Sequence, residues 1–142
     1  MIDKDFQCER DLIALAVDDE KILAKVCTEL KEEDFCDLKK IFSCINEMYQ
    51  TGKKVDTVSL WTTYKDILSK LDCGMNYTEI VTAKRFDNKG LVAMIERLKE
   101  LSRKRKIIRT MVDVKTALND NKKSDEVMGI LEEAVIQNTS YG

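Results

Sequence analysis

No proline occurs in the 142 residues of this chain, and only five glycines do. These two residues break helices and shape the tight hairpins of β-rich domains, so a chain nearly free of both has little to interrupt a helix. The expected fold is all-α. Apolar spacing then divides the chain. A first short helix runs from about Cys8 to Val17, with Leu12, Ile13, Leu15 and Ala16 on its buried side. Asp18 and Asp19 are N-cap candidates for a second, which carries Ile22, Leu23, Val26 and Leu30 at helical spacing. After an acidic stretch, Phe35 opens a segment whose Leu38, Ile41, Phe42, Ile45, Met48 and Tyr49 step by three and four, ended by a left-handed Gly52. Asp56 or Thr57 caps a fourth helix with Val58, Trp61, Tyr64, Leu68 and Leu71 facing inward, and Tyr77 to Ala83 forms a fifth. The core is expected around Leu12, Phe35, Ile41, Phe42, Val58 and Leu60, with Trp61 and Tyr64 at its edge.

Nothing interrupts a helix from Gly90 to about Leu118, which at 1.5 Å per residue is on the order of 40 Å long and outruns so small a head. Asn119, Asp120 and Asn121 then signal a turn, and Ser124 begins a capping-box-like start to a last helix with Val127, Ile130, Leu131, Ala134 and Val135. The predicted architecture is a compact head of about five helices over residues 1–89, followed by a projecting helical hairpin and the start of a linker over 90–142.

Histidine is absent, which removes the commonest general base, the usual catalytic triads and every imidazole zinc site. No phosphate-cradling G-x-x-x-x-G-K-[ST] loop or G-x-G-x-x-G occurs, so neither a cofactor nor a catalytic residue is expected. The carboxylate pairs Asp18-Asp19 and Glu32-Glu33 read as caps and first-turn charges. Cys8, Cys27, Cys36, Cys44 and Cys73 show no metal-ligand spacing and read as reduced packing thiols, and with no membrane-length apolar run the expected location is the cytoplasm. The 26 acidic residues nearly cancel the 24 basic ones, which argues against a surface built wholly for nucleic acid.

Two features point outward. The run Arg103-Lys104-Arg105-Lys106, with Arg109 beyond it, spreads around most of a helix circumference; it reads as a solvated face, with direct nucleic-acid contact through Arg103, Arg105 and Arg109 as the alternative. The apolar residues of the long arm cover more than one stripe, so a single partner helix leaves some exposed. Leu98, Leu101, Ile107, Ile108, Met111 and Val112 are therefore the expected self-association surface.

Several short motifs, in order, resemble one family. Glu9-Arg10-Asp11-Leu12-Ile13, Glu33-Asp34-Phe35, Ile41-Phe42 and the run G-K-K-V-D-T-V-S-L from Gly52 to Leu60 are similar to the E-x-x-V-L, D-D-F, I-F and G-x-x-[VI]-D-x-[VI]-T-L steps of the N-terminal domain of DnaB-family replicative helicases. Tyr77 with Glu79-Ile80, the segment Leu101 to Val112, and Asp125 to Met128 with Glu132 look like that family's later helices. The resemblance implies a domain without motor activity, whose hairpins pair between subunits in a collar above the motor ring. It also implies docking of a DnaG-type primase, with a helicase loader as a further partner. Leu118, Asn119, Asp120, Lys122 and Lys123 at the hairpin end are the primase-docking candidates. The helicase-binding end of a primase and a small helical nucleic-acid-binding protein are the alternatives.

Overall fold

The computed structural model describes residues 2–83 and 90–138. The expected end of the head, residues 84–89, and the expected start of a linker, residues 139–142, lie outside the described residues. Among those described, seven α-helices and one 3-10 turn form the fold, with no strand. Asp5 starts α1 (Phe6–Asp18) by accepting the Cys8 N–H at 3.1 Å. Asp19 both ends that helix and caps α2 (Glu20–Glu29), its Oδ1 accepting from Lys21 and Ile22 at 2.8 and 3.3 Å. Of the paired aspartates, the second is the cap.

The third helix begins later than its apolar pattern suggests. Glu32–Asp34 make a 3-10 turn, and α3 covers Lys39–Gln50. Between them the backbone is held open by Glu9 of α1, whose Oε1 accepts the N–H groups of Cys36 (2.9 Å) and Leu38 (3.0 Å). Those two amides are satisfied by a side chain, so Phe35 can turn its ring into the core without the segment being helical. Glu9 is 1% exposed, and its Oε2 has no partner. Burial raises its pKa above the ordinary value, against the two N–H bonds that lower it. Glu9→Ala is expected to destabilise the head by about 2–4 kcal/mol, from two lost bonds and a small cavity. Glu9→Gln keeps the acceptor and removes the buried charge, so a urea titration should show less than half that loss.

Gly52, at φ +74°, ends α3 as expected, with the Lys53 N–H bonded to the Met48 carbonyl at 3.0 Å. Asp56 caps α4 (Thr57–Leu68) through the Ser59 N–H at 2.7 Å. One core expectation fails here: Val58 is 73% exposed, whereas Leu60 is fully buried. Two positions apart on a helix are turned by about 200°, so the pair cannot both face inward. The short α5 (Tyr77–Val81) opens with a capping box of Asn76 and Glu79 and ends before the expected Ala83. Its Tyr77 stacks on Trp61 with centroids 5.3 Å apart and donates to the Thr57 carbonyl at 2.6 Å, which fixes α5 on α4.

The core gathers Leu12 and Ile13 of α1, Ile41, Phe42 and Ile45 of α3, Leu60 and Leu68 of α4, and Phe35 and Leu38 from the link. Cys8, Cys27 and Cys44 are buried in it as free thiols, with burial raising their pKa to about 12, 11 and 11 respectively. The first turns of α6 (Leu91–Asn119) complete the same core through Ile95 and Leu98. Beyond the head, α6 turns back through Asp120 and the left-handed Asn121 (φ 57°) into α7 (Ser124–Asn138). The Lys122 N–H closes that turn on the Ala117 carbonyl at 2.9 Å. Ser124 is the first residue inside α7 rather than its cap, since the Val127 N–H bonds to the Lys123 carbonyl.

Candidate protein-interaction surfaces

The long helix changes surroundings along its length. Near the head it is fastened by charge and hydrogen bonds. Arg97 Nε meets the Asp5 carboxylate at 2.8 Å, Ser102 Oγ donates to the Glu33 carbonyl at 3.2 Å, and Lys106 pairs with Glu33 at 3.4 Å. Arg97 holds the Asp5 carboxyl below its usual range. Leu98 and Leu101, expected on the self-association surface, are each 1% exposed, Leu98 within the core of the head, so both are buried inside the chain and offer no surface to a second one. Their spacing from Ile95 places all three on the side of α6 that faces the head.

Past Lys106 the same helix carries its apolar residues into solvent. Ile107, Met111 and Val112 are 53%, 65% and 58% exposed, and Leu118 is 56% exposed; Ile108 is half-buried. Ile107, Met111, Val114 and Leu118 step by four, three and four, a single stripe. A matching stripe on α7 is formed by Met128, Leu131 and Val135, of which the apolar pattern of the last helix includes only Leu131 and Val135. The seam between the arms is closed by Ala117 and Val127, both buried. A cleft lined by Thr110 and Asp113 of α6 and by Ile130, Glu133, Ala134 and Gln137 of α7 marks one side of the hairpin. At about 100° per residue both stripes are turned well away from that cleft, so they share the opposite side. The hairpin therefore presents one two-helix apolar face. Ile136, also exposed, lies off it on the far side of α7.

The basic run does not act as a unit. Arg103 bonds Glu100 at 3.0 Å, one turn back on the same helix. Arg105 donates to the carbonyls of Asp3 (2.7 Å) and Glu33 (3.1 Å), tying α6 to the N-terminal segment and the 3-10 turn. Arg109 is exposed. Of the three expected nucleic-acid contacts, Arg103 and Arg105 thus have different partners, and Arg105 serves the fold. Leu118, Asn119, Asp120, Lys122 and Lys123 all lie exposed around the hairpin turn. No group of three or more possible metal ligands occurs among the described residues, and none of their helices is long and apolar enough to cross a membrane.

The described residues form an all-helical fold whose hairpin turns an apolar face to solvent. The family model of the DnaB-like helicase N terminal domain matches residues 2–100, and the chain belongs to that family. A comparison with curated proteins gave no match. The matched span takes in the whole described head and the first turns of α6, and stops before the exposed part of the hairpin.

Proposed function

We propose that this domain builds the N-terminal collar of a replicative helicase, pairing its hairpin with that of a second copy and docking a DnaG-type primase. The observation that carries this reading is the two-helix apolar face. Large exposed apolar patches on a soluble domain mark interfaces, and here the face lies where the helix has left its own head. Family membership supplies the context, since the DnaB-like N-terminal domain is the non-catalytic part of such helicases. It also favours the helicase side over the primase side. Direct nucleic-acid contact has no observation in its favour, because two of its three arginines already have partners in the fold.

The primase contact belongs at the hairpin turn, around Leu118 to Lys123, together with adjoining surface; a helicase loader is a further partner. Calorimetric titration of this chain with the C-terminal domain of a DnaG-type primase from the same source is expected to show saturable heat. Alanine replacements at Lys122 and Lys123, which lie in the turn outside both apolar stripes, should weaken it about tenfold while leaving self-association unchanged. No heat at high micromolar concentration, with both partners folded, would leave only the assembly role.

A further inference from the structure

Between the head and α6 lies a cleft of about 370 Å³, separate from the hairpin face. Phe35, Cys36 and Ile108 give it an apolar lining, and Lys39, Arg105 and Arg109 stand around it. Phe35 is 2% exposed and stacked on Phe42, so this part of the lining is firmly held. The three cations differ in a useful way. Arg105 is fixed by two backbone carbonyls, which are neutral acceptors, so those bonds position its charge without cancelling it. Lys39 and Arg109 are exposed and make no ion pair among the described residues. Two acidic residues, Asp3 and Glu33, also line the cleft, and Glu33 is balanced by Lys106 at 3.4 Å. The local excess is positive on a chain whose net charge is −2.

We infer that this cleft binds an acidic peptide segment of a partner protein, one apolar side chain entering beside Cys36 and Ile108 while flanking carboxylates meet Arg105, Arg109 and Lys39. A fixed guanidinium beside a second, mobile one suits planar carboxylates, which arginine grips with two parallel bonds. Nucleic acid fits less well. A phosphate backbone needs cations in a continuous track, whereas Arg103 is paired elsewhere and Asp3 and Glu33 interrupt the rim. The buried Phe35 ring also offers no open face on which a base stacks.

The test uses the full chain and a fluorescein-labelled peptide in which two aspartates flank a leucine–phenylalanine pair on each side, read by anisotropy. The expected result is saturable binding that weakens several-fold as salt rises from about 50 to about 300 mM. A peptide with lysines in place of the aspartates should not bind. Arg109→Glu and Lys39→Glu should each weaken binding about tenfold. Both positions are exposed, so the melting temperature should hold. The proposal is overturned by equal binding of the acidic and lysine peptides, by binding untouched by Arg109→Glu, or by a single-stranded oligonucleotide that displaces the peptide and binds more tightly. A shift to monomer in Arg109→Glu with no peptide binding by the parent chain would make the cleft a contact between copies, also against it.

Discussion

Phe42→Ala is expected to remove about 3–5 kcal/mol of stability, the largest effect of any single truncation in the head. The ring is 1% exposed and stacks on Phe35 with centroids 4.2 Å apart and planes 14° from parallel. Ile41 and Ile45 of the same helix and Leu38 at its N-cap are fully buried with it in a close-packed core, which cannot collapse freely into the space the ring leaves. A domain of this size has only about 5–15 kcal/mol in hand, so the loss is a large share of the total. The melting temperature should fall by roughly 10 to 15 °C, and Phe42→Leu, which keeps most of the volume, should lose far less. An unchanged melt in Phe42→Ala would mean that α3 is turned differently on the head.

Pairing Met111→Asp with Leu131→Asp should shift the chain to monomer, weakening self-association about a hundredfold or more. Both residues are exposed on the hairpin face, at 65% and 39%, so neither change disturbs the head. The attraction to be lost is apolar burial, at about 25 cal/mol per Å², and each aspartate adds the cost of taking an unpaired carboxylate out of water. Ile136→Asp is the control. It is 72% exposed but lies off the face, so it should leave the association constant unchanged. Sedimentation velocity across a concentration series separates the two outcomes, and equal weakening by all of these changes would place the contact elsewhere.

Helix positions and caps were largely legible in the sequence because they depend on neighbours close along the chain. Asp19, Gly52 and Asp56 act at the positions where their chemistry suits a helix end, and Asn121 adopts the left-handed turn that its neighbourhood signals. The failures share a cause. Leu98 and Leu101 follow the same helical spacing as Ile108 and Met111, and nothing in that spacing says where the head stops covering the helix. Arg105 looks like any exposed arginine in a basic run until the segments bearing Asp3 and Glu33 fold beside it. Glu9 enters the sequence reading only as the first residue of a short motif, and nothing there shows that it holds a link some thirty residues away by 2.9 and 3.0 Å bonds.

That the chain is helical, where most helices begin and end, and that a long arm must leave a small head can be read from the residues alone, since these rest on local propensity and on the reach of a helix. Which apolar residues of that arm remain exposed, the addition of Met128, Leu131 and Val135 of α7 to the same face, and the role of Arg105 and Glu9 in holding the fold together emerge only once the helices are packed. Burial is a property of what stands opposite a residue, and the opposing residues come from elements distant along the chain.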